Sequence, residues 1–239
     1  MKVACWSGPR NISTALMRSW SSRMDTFVSD EPFYAYYLKK TGANHPMKNA
    51  IIEKYETNYS KVIENISGST PKNKKIWYQK QMAHHILEEK DFSWIQSFNN
   101  CFLIRNPGDV INSYIKKNAL KNVEELGYLK QLQLINYLKK NNLDFYVIDS
   151  DDLLNNPSEI LKKWCNRLNI MFDEKMLSWQ KGPHKEDGIW GIHWYDNIYN
   201  STCFMKKKST IKVEPLENYK EIYEEALLYY QELYDMRIK

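Results

Sequence analysis

The chain has 239 residues, 43% of them apolar and 26% charged, the balance of a globular protein long enough to bury a substantial core. Its net charge of +5, from 34 basic and 29 acidic residues, is too small to mark a nucleic-acid-binding face, and runs such as Lys72-Asn73-Lys74-Lys75 read as solvated surface. No stretch approaches the ~20 apolar residues of a membrane span, no leader-like segment opens the chain, and Cys5, Cys101, Cys165 and Cys203 form no C-x-x-C pair. The expectation is a reduced, cytoplasmic protein with neither nucleic-acid nor membrane partners, its oligomeric state left open.

Residues 3–6 form a short apolar strand closed by the turn Ser7-Gly8-Pro9-Arg10. Ala15, Leu16 and Trp20 recur at helical spacing and predict a helix over 12–24. A second strand, 27–30, stops at Pro32. Helical, strongly aromatic sequence covers 33–39 and then 47–66, and a Ser/Gly/Pro loop follows at 67–71. Strands are predicted at 75–79 and 101–104. Asn106 then caps a helix with Pro107 at its first position and Asp109 in its first turn. A helix over 123–140, a strand at 145–148 and a helix over 152–168 complete the alternation. The segment 181–204 is irregular and rich in Gly, Trp and Tyr, and an amphipathic helix spans 218–234.

Strands alternating with helices predict one α/β domain over 1–239, with a central, mostly parallel five-stranded sheet flanked by helices. Such sheets bind ligands beyond the carboxyl ends of their strands. That rule places residues 7–14, Asp30 and Glu31, residues 80–85, Arg105 and Asn106, and Asp149 along one crevice.

A strand, a Gly-Pro turn, a cation and two hydroxyls opening a helix make an anion site. The free N–H groups and the positive end of the helix dipole meet there. Arg10 adds a bidentate donor, and Ser13 and Thr14 add hydroxyls. The Walker A pattern fails, because Ile12 stands where its second glycine belongs and its lysine is missing. The run Pro9-Arg10-Asn11-Ile12-Ser13-Thr14 instead resembles the 5′-phosphosulfate loop of sulfotransferases, where Pro-Lys/Arg precedes Ser-Gly-[ST]-[ST]. Arg10 falls at that family's cation and Ser13 and Thr14 at its hydroxyls, while Asn11 and Ile12 depart from Ser-Gly, as in a divergent, bacterial-type branch. The resemblance implies a P-loop NTPase-like sulfotransferase fold. It also implies 3′-phosphoadenosine 5′-phosphosulfate (PAPS) as cofactor, held by Gly8, Pro9, Arg10, Asn11, Ile12, Ser13 and Thr14 without a metal.

A second segment, Arg105-Asn106-Pro107-Gly108-Asp109-Val110-Ile111-Asn112-Ser113, is similar to the family's Arg-[DN]-Pro-x-Asp-x-x-x-Ser motif. The resemblance assigns Arg105 and Ser113 to the 3′-phosphate, and a strand-end guanidinium suits a two-pronged contact with a dianion. A nucleoside-triphosphate enzyme holds Mg²⁺ on a strand-end carboxylate, where this strand ends in Arg105. Asp30 and Asp149 also end strands, so a metal-dependent P-loop kinase stays as an alternative, as does a non-catalytic nucleotide-binding domain. The stretch from Gly182 to Phe204 occupies the place of the family's C-terminal cofactor loop, with Lys181, Lys185 or His193 as possible contacts.

Sulfonation needs a base for the acceptor's proton. In the family's Lys-x-His context this chain has Lys80-Gln81-Met82, with His84 and His85 just beyond. Other branches use a glutamate soon after the first helix, the place of Glu31. The catalytic expectation is therefore Arg10 with Glu31, His84 or His85, Glu31 preferred. The implied reaction moves a sulfuryl group from PAPS to a hydroxyl or amine of a small-molecule acceptor that no residue singles out.

Overall fold

The computed structural model describes residues 1–87, 91–206 and 217–239, and in it the five predicted strands pair as one all-parallel sheet. They are β1 (Lys2–Ser7), β2 (Thr26–Asp30), β3 (Ile76–Met82), β4 (Asn99–Ile104) and β5 (Phe145–Asp149), in the order β2-β3-β1-β4-β5. The chain leaves β1 toward β2 on one side, then crosses from β3 over β1 to β4 on the other. The direction of winding thus reverses at β1, and the loop after β1 lies at the switch point where open α/β sheets take their ligands.

Alternate residues of each strand supply the two cores. Ala4, Trp6, Phe102, Ile104 and Val147 face α5 (Pro107–Tyr114), α6 (Tyr128–Lys140) and α11 (Lys220–Asp235). On the other face Val3, Cys5, Tyr78, Cys101, Leu103 and Ile148 meet α1 (Ser13–Ser21), α7 (Ser150–Asn155) and α8 (Pro157–Arg167). Burial on both faces is why the strands read as near-continuous apolar runs. A smaller core joins α2 (Tyr34–Thr41) and α3 (Lys48–Lys54) to α9 (Gly191–Trp194) and α10 (Asp196–Tyr199), so the segment 181–204, predicted irregular, roofs one end of the sheet with two short helices.

Several boundaries differ from the sequence reading, among them the predicted helix over 123–140, which begins at Tyr128 after a separate turn at Val123–Leu126 and Gly127 in left-handed backbone. The predicted helix over 47–66 is two, α3 and α4 (Tyr59–Ser67), because Tyr55 is extended and Glu56 takes the backbone N–H groups of Thr57 and Asn58. Asn58 then caps α4 by accepting from the Lys61 N–H at 3.1 Å. The predicted helix over 152–168 starts earlier and divides at Asn156, since Pro157 has no N–H to continue α7 and opens α8 instead. Strand β3 runs past Gln79 to Met82, burying Lys80 and Gln81 that the pattern had left at a loop. Among the described residues no helix is long and apolar enough to cross a membrane.

Candidate active site

The loop after β1 is held closely from behind. A Cβ on Gly8 would stand 2.0 Å from the Leu126 carbonyl oxygen, so the backbone passes where only glycine fits. Arg10 and Ile12 both adopt left-handed backbone, at φ 62° and 58°. Ile12 occupies the position of the family's glycine and keeps a glycine's conformation at the steric cost of a β-branched side chain. It directly precedes α1, whose first turn carries no side-chain cap and no acidic residue, so its backbone N–H groups are left for an anion beside Ser13 and Thr14. Asn11 turns the other way: it is fully buried and donates to the Leu103 carbonyl at 3.0 Å. Ser150 Oγ bridges the carbonyls of Asn11 (3.0 Å) and Ile104 (2.7 Å), pinning the loop to the ends of β4 and β5.

The two sequence motifs meet at Arg10. Its Nε donates to Ser113 Oγ at 2.8 Å, and Arg105 Nη1 donates to the Arg10 carbonyl at 2.9 Å. Burial, then the nearby Arg105 cation, lower the pKa of the Arg10 guanidinium. Two neighbouring cations that disfavour each other are a site an anion would relieve. Arg105 Nε is buried without a protein partner, one more donor to spare.

Both motifs open on a cavity of about 410 Å³. Pro9, Arg10, Asn11, Ile12, Ser13, Thr14, Glu31, His84, His85, Arg105 and Ser113 all line it, while Gly8, Asp30 and Asn106 do not. The roof adds Trp194 and Tyr195, and α2 adds Tyr34. Lys181, Lys185 and His193 are not on the lining; Lys185 is exposed and pairs with Glu186 at 3.8 Å. Asp149 is also absent from it: its carboxylate caps α7 and accepts from Tyr230 at 3.0 Å, and burial raises its pKa to about 6.

At one end of the cavity Glu31, in left-handed backbone at φ 45°, places Oε1 2.5 Å from Lys80 Nζ. Asp30 Oδ1 lies 2.9 Å from the same ammonium. Burial raises the Glu31 carboxyl above its ordinary value, against the lowering pull of Lys80. His85 stacks on Tyr34 and Tyr37, with ring centroids 5.0 and 4.6 Å apart, and His84 meets Tyr37 edge-on. Burial pushes His84 down to about 3 and His85 well below the usual imidazole range, so both are neutral at pH 7. Their Nδ1 atoms have no protein partner. Among the described residues no group of three His, Cys, Asp or Glu side chains is placed to hold a metal ion.

Sequence reasoning gave no role to Tyr195 or His45 and named Lys80 only for its place in the Lys-x-His context, yet all three line the cavity. Lys80 carried a signal, since Gln79-Lys80-Gln81 puts three polar residues after an apolar strand start and a buried polar run needs partners. Tyr195 carried none within so aromatic a segment.

Residues 1–235 match the family of sulfotransferase domains, and the chain belongs to that family. Two Arabidopsis thaliana proteins, branched-chain-amino-acid aminotransferase-like proteins 1 and 2, are 35% and 33% identical to it over 220 and 217 residues. The matches take in 91% of this chain but only 39% and 38% of theirs, so the chain spans about two fifths of the length of these relatives. The sulfotransferase domain of the Synechococcus PCC 7002 olefin synthase superposes with a TM-score of 0.50 at 14% identity, over 94% of each chain. A sulfotransferase from Alicyclobacillus acidocaldarius superposes at 0.51 with 10% identity, over 72% of this chain and 82% of the other. At these identities the likeness is one of fold, and the fold is the same α/β sheet with flanking helices.

Proposed function

We propose that this sulfotransferase-domain protein transfers a sulfuryl group from PAPS to a hydroxyl or amine of a small-molecule acceptor, with Glu31 as general base. The observation that carries the reading is convergence: the loop after β1 and the Arg105–Ser113 motif, about ninety residues apart, are joined through Arg10 on one cavity that also holds a buried carboxylate.

The residues fit the donor. The uncapped start of α1, with Ser13 and Thr14, suits the 5′-phosphosulfate, and Arg105, whose Nε lacks a partner, suits the 3′-phosphate together with Ser113. Arg10 rests on Ser113 and so stands between the two anionic ends. When bound, the donor supplies an electrophilic sulfur and a bisphosphate leaving group. Glu31 takes the acceptor's proton, and its raised carboxyl brings it closer to the pH at which it works. Lys80 beside it keeps the ionised form within reach. His84 and His85, neutral and short of one partner each, offer uncharged hydrogen-bonding edges to the acceptor.

The test is thermal or calorimetric: adenosine 3′,5′-bisphosphate against Mg-ATP at equal concentration. At 100 times its dissociation constant the bisphosphate stabilises the fold by about 2.7 kcal/mol. Equal or stronger stabilisation by Mg-ATP overturns the reading.

A further inference from the structure

The end of the cavity holds a charged group whose contact with Glu31 is only one of three. Lys80, on β3, is 1% exposed. An ammonium has three protons, and Lys80 directs all of them to protein acceptors: Asp30 Oδ1 at 2.9 Å, Glu31 Oε1 at 2.5 Å and the Tyr195 hydroxyl at 2.7 Å. The Tyr195 hydroxyl also accepts from Trp190 Nε1 at 3.1 Å and donates to Asp30 Oδ2 at 2.7 Å. Lys80, Tyr195 and Asp30 thus close a ring of hydrogen bonds. With no proton to offer an incoming ligand, Lys80 orients its neighbours instead.

The three groups that hold Lys80 differ in origin. Asp30 and Glu31 follow from β2 and stay with the sheet. Tyr195 comes from the roof, between α9 and α10. The roof is fastened to the body near this point by Gly188 N–H to Asp30 Oδ2 at 3.1 Å and by the buried Arg18–Asp187 pair at 2.6 Å.

We propose that Tyr195 is a positioning residue for Glu31: its hydroxyl locks Lys80 and Asp30 in one arrangement and, through Lys80, sets where the Glu31 carboxylate sits, so that the base is in place only when the roof is seated. The inference rests on the reading of Glu31 as base. Removing the hydroxyl deprives Lys80 of an acceptor and Asp30 of a donor at once. Asp30 then draws more of the ammonium, and Glu31 retains less of it. The titratable groups facing Glu31 are Lys80 from β3, Asp30 from β2, Tyr34 from α2 and Tyr195 from the roof; of these, Lys80 and Tyr195 lower its carboxyl pKa. Weakening both moves the carboxyl further up.

The variant is Tyr195→Phe, which keeps the ring that lies 4.9 Å from Lys80 Nζ and packs edge-on against Tyr199. Three readouts apply: the Glu31 titration midpoint by NMR on protein carrying ¹³C-carboxyl glutamate, with the resonance identified by Glu31→Gln; the pH profile of kcat; and bisphosphate affinity by calorimetry. The midpoint is expected to rise by about half a unit or more, and the acid limb of kcat to move with it. On the acid limb turnover falls with it, by up to about threefold for half a unit, while bisphosphate affinity stays within about twofold of the parent, since the hydroxyl touches neither anion anchor. Trp190→Phe removes the other donor to the same hydroxyl, leaves the Lys80 contact intact, and is expected to leave the midpoint in place. An unmoved midpoint in folded Tyr195→Phe overturns the proposal. So does an equal movement in Trp190→Phe, which would assign the effect to roof packing. A parent protein that binds no bisphosphate defeats the donor reading instead, and the NMR midpoint still decides the role of Tyr195.

Discussion

Glu31→Gln is the substitution that bears most directly on the chemistry. It preserves shape and leaves the side-chain oxygen as an acceptor for Lys80, whose ammonium keeps Asp30 as its counter-charge. What it removes is the capacity to take a proton, a loss of about 10² to 10⁴ in rate. At 1.36 kcal/mol per tenfold this is about 2.7 to 5.4 kcal/mol of barrier. The comparison is with His84→Ala and His85→Ala, each expected to lower kcat by less than about tenfold. The pH profile separates the candidates independently. A base acts in its deprotonated form, so activity is lost as pH falls through its pKa. Burial raises Glu31 above 4.5, which puts the acid limb of kcat above that pH. Burial lowers His84 to about 3 and His85 well below 6.5, so a limb belonging to His84 would lie near 3. Steady-state turnover across this range, with bisphosphate affinity measured for every variant, decides the matter. A kcat flat down to pH 4, or a Glu31→Gln enzyme near full activity beside a His variant down a hundredfold, refutes the assignment.

Arg105→Ala is expected to weaken adenosine 3′,5′-bisphosphate by about 1.5–3 kcal/mol while barely changing adenosine 5′-monophosphate, as loss of one charged contact to the 3′-phosphate requires. Calorimetry with both nucleotides checks it, and equal weakening would take Arg105 off the 3′-phosphate. Gly8→Ala is expected to cost about 1–3 kcal/mol of stability, because its Cβ meets the Leu126 carbonyl oxygen at 2.0 Å and two backbones must separate. Denaturant unfolding measures that loss, and bisphosphate binding should fall with it as the loop moves.

The part of the cavity lined by the loop after β1 and the Arg105–Ser113 segment was legible in the sequence because its parts are local. A strand, a turn and a helix start are contiguous over residues 2–21, and the second anchor likewise joins the end of β4 to α5. Local motifs dictate local geometry, and the sheet order then brings them together, since β1 and β4 are neighbours. Asn11 shows the limit of that logic: a polar residue inside an anion loop reads as a ligand, yet its amide is spent on the Leu103 carbonyl, ninety-two positions away. Ile12 shows another, because a β-branched residue argues against left-handed backbone and only the packed loop imposes it. The other half was legible only in part, since the strand ends put Glu31 and residues 80–85 in one crevice without showing what joins them. Lys80, Glu31 and Tyr195 come from three separate segments, and nothing in the spacing of residues 31, 80 and 195 announces that they share protons.

That division has a physical consequence for how the enzyme would vary. The anion anchors are built on strand ends and tied down by buried hydrogen bonds: Ser150 to Asn11 and Ile104, Asn11 to Leu103, and Arg105 to Arg10. Each tie links elements that also carry the core, so a change there costs stability as well as binding. The opposite wall depends on the roof, whose fastenings to the body include Arg18–Asp187, the Asp30 contacts to Gly188 and Tyr195, and Lys117 to Asp196 at 2.6 Å. The Lys117–Asp196 pair is solvent-exposed and contributes little. The buried fastenings fall at Asp187, Gly188 and Tyr195, and Asn197 and Ser201 line the cavity outside them. On the proposed reading, change of acceptor is least costly on the roof between its buried ties, and change of donor means rebuilding the end of the sheet.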